Sequence, residues 1–387
     1  MHTPFDLLAI FVTILTQWHM IRRFLAAARR RLSPRPWRAT CWCLGVVYVF
    51  LAVGLAMGFL FLDSRVLLPP SVTQIAGAVA EIWLFGSSAG YLAYRGFRFL
   101  TKRAVPDAVS HTRRRLLNAT GSALLAAPFA LVGYGVFIER LDFHVREVDI
   151  PIPGLPVDLD GLRLVQVSDI HLSAFLSERN LARVIDSANE TRANLALVTG
   201  DLITAAGDPL DASLRQVARL RADAGVLGCL GNHEVYARVE DYTEREGARL
   251  GVHFLRRRAV PLRFGNAVLN VAGVDYQSSG RRYLPYGKKL ILPGAYNVLL
   301  SHNPNVFPVA VKQGYGLTLA GHTHGGQVTV EILHQSLNAA RFFTPYVYGL
   351  FRKGAAAIYV TRGIGTIGIP ARIGAPPEIA LLRLRKA

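Results

Sequence analysis

Charge is scarce in this sequence. Asp, Glu, Lys and Arg make up 18% of its 387 residues, against about 25% in ordinary soluble domains, which argues against a wholly soluble chain. Cysteine is scarcer: Cys41, Cys43 and Cys229 cannot build a disulfide framework, and each is expected to be a packed apolar residue. Acidic residues number 26 against 44 basic ones. No internal repeat or low-complexity segment is evident. What is abundant is apolar: 51% of residues are hydrophobic, which excludes disorder. A net charge of +18 suits either nucleic acid or a membrane surface, so its placement decides. Within residues 1–150 the excess sits in two short clusters between apolar stretches. That is a topology signal, and no nucleic-acid partner is expected.

A membrane-crossing helix needs about 20 apolar residues. Cys41–Leu62 and Leu116–Ile138 are free of charge, and Val72–Tyr94 is interrupted only by Glu81. Leu7–Ile21 is a shorter uncharged run, so four spans are expected, this first one the shortest. The links between spans one and two (Arg22 to Arg38) and between spans three and four (Arg95 to Arg115) are arginine-rich, whereas the middle link holds only Arg65 beside Asp63. Basic short loops stay cytoplasmic, so everything after Ile138 is expected to face outward. Thr112-Arg113-Arg114-Arg115-Leu116-Leu117 resembles a twin-arginine export signal, or equally the positive flank of span four. Both readings agree on orientation. Glu81, an acid within a span, marks a candidate functional position.

From Val148 the pattern changes to short apolar runs that end in polar residues, with helical periodicity between them. Leu162–Val167 leads to Ser168-Asp169-Ile170-His171, Leu195–Val198 to Thr199-Gly200-Asp201, and Val226–Leu230 to Gly231-Asn232-His233-Glu234. Asn180–Asn194 and Leu210–Ala222 have helical spacing. Further strands, Val268–Val274, Tyr296–Leu300 and Leu317–Ala320, lead to Asp275, to Ser301-His302-Asn303 and to Gly321-His322-Thr323-His324-Gly325. Every cluster follows the C-terminal end of a strand, where α/β sheets bind ligands. Two domains are therefore expected: a membrane region, 1–147, and an α/β domain, 148–387.

Two carboxylates, an amide oxygen and several imidazoles suit divalent Mn, Fe or Zn. Seven candidate ligands exceed what one tetrahedral ion takes, which argues for two ions sharing a carboxylate. Asp-x-His, Gly-Asp, Gly-Asn-His-Glu, a lone His and Gly-His-Thr-His follow the order and spacing of the calcineurin-like metallophosphoesterases. Ile152-Pro153-Gly154-Leu155-Pro156, Gly325-Gly326-Gln327 and the tail from Thr361 to Glu378 resemble the membrane-associated YkuE/YaeI-type branch. The resemblance implies a four-layer α-β-β-α sandwich. It also implies that Asp169, His171 and His324 hold one metal and Asn232, His302 and His322 the other, that Asp201 bridges, and that His233 acts on the phosphoryl group without ligating. Arg341 and Arg362 are candidates for gripping substrate phosphate.

The expectation is a multi-pass enzyme of a bacterial cytoplasmic (inner) membrane. Its catalytic domain faces the periplasm or exterior and hydrolyses phosphoester or pyrophosphate bonds by a metal-activated hydroxide. A phosphorylated substrate, lipid-linked or from the envelope, and membrane lipids are the expected partners, with Arg256-Arg257-Arg258 and Arg281 to Lys289 as possible lipid contacts. Two alternatives stand beside this: a cytoplasmic-face pyrophosphatase of nucleotide-linked lipid precursors, and a non-catalytic membrane sensing module.

Overall fold

The computed structural model describes residues 4–59, 69–104, 111–278, 280–332 and 335–387. The end of the second expected span, Asp63, Arg65 and His334 lie outside them. The chain divides into two compact units, Met1–Tyr134 and Gly135–Ala387.

The first unit is helical: α1 (Pro4–Arg29), α2 (Pro34–Phe59), α3 (Pro70–Ala104) and α4 (His111–Phe137), whose last turn enters the second unit. Among the described residues three segments, not four, are long and apolar enough to cross a membrane: Pro34–Ala56, Pro70–Thr101 and His111–Leu141. Helix α1 forms and is not among these three; its packed face is polar. Thr13, Thr16 and Gln17 are buried. The Gln17 amide donates to Leu84 O at 3.0 Å, Ser87 Oγ at 2.7 Å and Ser88 Oγ at 2.9 Å, and accepts from Tyr48 Oη at 2.7 Å. Three helices are thus tied through one side chain. Glu81 of α3 is buried in the same unit.

The second unit holds two six-stranded sheets. The first has the order β1 (His144–Ile152), β14 (Glu378–Lys386), β2 (Arg163–Val167), β3 (Leu195–Thr199), β4 (Val226–Cys229), β5 (Val252–Phe254). Only the β14/β2 pairing is antiparallel. The second runs β12 (Gly349–Lys353), β13 (Ala356–Val360), β9 (Leu317–Ala320), β8 (Tyr296–Leu300), β7 (Ala267–Gly273), β6 (Arg258–Phe264), with antiparallel edge pairs around a parallel centre. A hairpin, β10 (Thr329–Ile332) with β11 (Gln335–Asn338), stands apart. Helices α5 (Glu178–Glu190), α6 (Leu210–Val217), α7 (Asn232–Ala237) and α8 (Glu240–Arg249) follow the strands of the first sheet, and α9 (Phe307–Gln313) those of the second.

Period-two alternation builds the layers. On β3, Ala196 and Val198 pack with Leu181, Val184 and Ile185 of α5, while Leu195 and Leu197 face the other way. There they meet Leu269, Val271, Val298, Leu300, Leu317 and Leu319 of the second sheet. Ala272 and Leu299, alternating out of that interface, join Val306 and Ala310 beside α9. The order is therefore helix, sheet, sheet, helix. Helix α5 begins where the Ser177 hydroxyl accepts from Asn180 N, and it stops at Glu190, four residues before Asn194, where Thr191 caps it and Arg192 turns to a φ of 48°.

Candidate metal centre

In each sheet the central parallel strands end together, so the segments after β2, β3, β4, β8 and β9 converge. They carry the polar residues the sequence marks. Asp169, His171 and His324 come together, as do Asp201, His302 and His322, and His171, Asp201 and His233 form a third group, each set offering ligand atoms within 4.8 Å of one another. Asp201 belongs to two of these groups: its Oδ2 lies 3.5 Å from His171 Nε2 and 2.9 Å from His302 Nε2. Asp169 Oδ1 lies 3.5 Å from His324 Nε2.

Backbone geometry shows how strongly the fold imposes this arrangement. Asp169, His171, Asp201, His322 and His324 all have φ between +48° and +77°, a conformation that costs non-glycine residues about 1–3 kcal/mol each and clusters at functional sites. Close approach at two glycines allows it. A Cβ on Gly231 would land on Asp201 Oδ1, and one on Gly321 would land on Asp169 Oδ2.

Hydrogen bonds set the imidazole orientations. His302 Nδ1 donates to Thr199 O at 2.6 Å and His233 Nδ1 to Thr204 O at 2.5 Å, while His324 Nδ1 lies 3.3 Å from Gly365 O. Each Nε2 is thereby left as the acceptor. Burial, reinforced by a neighbouring imidazole, holds His171 and His324 well below the usual imidazole range and lowers His322 to about 3. Neutral imidazole is the ligating form. Burial also opposes charge on His302, but Asp201 and Asp169 outweigh it and raise this group to about 10, so a cation there competes with a proton.

The residues fit a divalent pair. Asp169 Oδ2, His171 Nε2, Asn232 Oδ1 and His302 Nε2 are buried and make no hydrogen bond. Orphaned buried polar atoms of this kind are costly unless something binds them, and an amide oxygen beside carboxylates and imidazoles matches the donor set of Mn, Fe or Zn.

Three further residues shape the centre without having stood out in the sequence. Glu234, fully buried, accepts from the backbone N–H of Gly231 (2.7 Å), Asp201 (3.0 Å) and Leu202 (2.7 Å). The signal was its place three residues after Gly231 at the start of α7, the reciprocal pattern of a capping box. Tyr276, after β7, has its ring 5.7 Å from that of His322 and 6.2 Å from that of His302. Arg372 is fully buried, with nothing in the sequence to distinguish it from a solvated charge.

Of the phosphate-gripping candidates, Arg362 stacks on Tyr348 at 4.3 Å, with its Nε 4.0 Å from Glu378 Oε2. It packs against the turn that carries His324, since a Cβ on Gly325 would meet its Cγ at 2.8 Å. Arg341 is exposed on the 3-10 turn Ala339–Phe342. Arg256, Arg257 and Arg258 form ion pairs with Asp241, Glu244 and Asp275.

Comparison with known proteins agrees with this geometry. Residues 162–328 match the model of the calcineurin-like phosphoesterase family. A Danio rerio protein named transmembrane protein with metallophosphoesterase domain is 29% identical, over 96% of this chain and 86% of its own length. The uncharacterized metallophosphoesterase YkuE of Bacillus subtilis is 27% identical over 71% of this chain and 98% of its own. An uncharacterized metallophosphoesterase of Aquifex aeolicus is 28% identical over 66% and 97%. With the strand-end ligand set, these matches identify residues 162–328 as a calcineurin-like metallophosphoesterase domain, and the chain as a metal-dependent phosphoester hydrolase.

Proposed function

We propose that the protein is a membrane-anchored dimetal phosphoesterase acting on phosphoester or pyrophosphate bonds of lipid-linked or envelope substrates, with residues 1–147 as its membrane region and 148–387 as its catalytic domain. The observation that carries the dimetal reading is the set of buried, unpartnered ligand atoms around Asp201. Asp169, His171 and His324 would hold one ion and Asn232, His302 and His322 the other, with Asp201 between them. Two such ions, when bound, lower the pKa of water and neutralise phosphoryl oxygens. The chain's own part is to bind, orient and move a proton. His233 keeps its Nδ1 proton on Thr204 O, leaving Nε2 to face the phosphoryl group or leaving oxygen. Arg362, fixed by Tyr348, and Arg341 are the residues for the substrate's distal charge.

Membrane anchoring is supported by the three apolar helices and by alignment along 96% of this chain with a relative named as a transmembrane protein. The preference for a membrane-borne substrate rests on reach. Six residues separate Phe137 of α4 from His144 of β1, a link of roughly 20 Å when fully extended. An enzyme held so near the bilayer meets a lipid-linked substrate at raised effective concentration. The arginine-rich links favour an outward catalytic domain.

Purified protein in lipid, tested with added Mn on phosphomonoesters, phosphodiesters and lipid pyrophosphates, is expected to favour the lipid-borne compounds. Activity confined to soluble esters would defeat the substrate assignment. Alkaline phosphatase fused after Arg140 is expected to be active, and fused near Arg103 inactive. The reverse pattern would favour the cytoplasmic-face pyrophosphatase.

A further inference from the structure

Arg372 is among the largest fully buried side chains of the described residues, and every one of its hydrogen bonds ends on a backbone carbonyl. Nε donates to Gly365 O at 3.1 Å; Nη1 donates to Ala375 O at 2.9 Å and His324 O at 3.4 Å. Nη2 donates to Gly365 O at 2.6 Å, Arg362 O at 2.9 Å and Gly363 O at 3.2 Å. A guanidinium carries five N–H donors in a rigid fork, and here the fork gathers five carbonyls from three separate stretches of chain. Burying a cation whose side-chain hydrogen bonds all end on carbonyls is expensive, even with Asp169, Glu378 and Glu139 near enough to act on its charge, so the arrangement calls for an explanation beyond packing.

What the fork holds is one half of the metal centre. Gly365 O, which takes two of its hydrogen bonds, also faces His324 Nδ1. Gly365 N donates to Asp169 O at 2.6 Å and Ile364 N to Ser168 O at 3.0 Å. A Cβ on Gly363 would meet Asp169 Cβ at 2.5 Å. These links lead to Ser168, Asp169 and His324; His302 is held through Thr199 O and Asp201 through Glu234 and the His233 N–H, none of which belongs to the strap. The fork is itself fastened to the end of α4 and the 3-10 turn after it, Glu139–Leu141: Arg372 N donates to Gly135 O at 3.2 Å, and Glu139 Oε1 accepts from Ala375 N at 3.0 Å.

We propose that Arg372 is a positioning residue for the ion held by Asp169, His171 and His324, and that the last turn of α4 anchors it there. The guanidinium locks the 362–365 strap against Asp169 and polarises the carbonyl that orients His324, so loss of the fork loosens one ion site and spares the other. The inference rests on the dimetal reading proposed above.

The test uses full-length protein in detergent, titrated with Mn alone. Stoichiometry is read by elemental analysis, the two affinities by calorimetry, and exchange coupling between the ions by electron paramagnetic resonance. Wild type is expected to take up two coupled ions. Arg372→Gln is expected to keep one ion at wild-type affinity and bind the second at least tenfold more weakly, with a signal from uncoupled Mn. Arg372→Lys should recover part of that loss. A second variant leaves the guanidinium in place. Gly135→Ala favours the helix but puts a Cβ 2.6 Å from Arg372 O, and is expected to weaken the same ion severalfold. Uptake of no ion by wild type would refute the dimetal reading. Two ions in wild type with both equally weakened, or neither weakened, in Arg372→Gln would overturn the positioning role, and unchanged affinities in Gly135→Ala would overturn the α4 anchor.

Discussion

Replacing Glu234 with glutamine removes one charge and one acceptor while nearly preserving volume. The carboxylate is fully buried and accepts three backbone N–H groups, two at Oε2 and one at Oε1. Hydrogen bonds to a charged group contribute roughly 1.5–3 kcal/mol each, neutral ones about 1. Glutamine keeps its oxygen on the pair from Gly231 and Asp201, losing about 1 kcal/mol at each. Its amide then faces Leu202 N–H, donor against donor, for about 2 kcal/mol more. The total is about 4 kcal/mol, which at ~2–4 °C per kcal/mol for a domain of this size lowers the apparent Tm by about 8–16 °C. Asp201, held at φ 56° by this clamp, should drift, so turnover falls with stability. The four tryptophans, Trp18, Trp37, Trp42 and Trp83, all lie in the first unit, so fluorescence does not report on this domain. Calorimetry or far-ultraviolet circular dichroism of the full chain does. A shift below about 2 °C with both ions retained would refute the reasoning, because it would mean that a neutral side chain serves those three donors equally well.

Asp201→Asn removes the negative charge between the two ligand groups. It is expected to cut turnover at least about a hundredfold and to lower Mn stoichiometry below two while the melt survives; a fully loaded, active variant would exclude the bridging role. His233→Ala is expected to retain both ions and lose roughly 10²–10⁴ in kcat, the range for a removed general acid. Because His233 also lies within ligand reach of His171 and Asp201, loss of an ion in that variant would make it a ligand.

Much of the catalytic domain was legible because its signals are local. A strand that buries both faces reads as an apolar run, and a ligand after its last residue reads as a polar cluster, so β2, β3, β4, β8 and β9 and the site residues after them could be placed from the sequence. What was not legible depends on distant partners. Nothing near His144–Glu147 shows that they form a strand, because their neighbour lies at Glu378–Leu381. Nothing in the sequence of helix α1 shows that Gln17 joins it to α2 and α3. Arg372 stands in a glycine- and proline-rich tail, where an arginine ordinarily meets water; only the folded chain brings five carbonyls to it.

The pairing of β1 with β14 has a consequence for biogenesis. These strands lie parallel in register from His144↔Glu378 to Ile152↔Lys386, and β14 also separates β1 from β2. A nascent chain therefore carries β1 with no neighbour to receive it, and β2 with one edge bare, until residues 378–386 have been made. Closing so long a loop is slow relative to local pairing. A chain cut before Glu378 presents two unpaired strand edges, the kind of surface on which chains aggregate. Strand β14 thus decides when β1, the strand of this unit that emerges before it, can be buried.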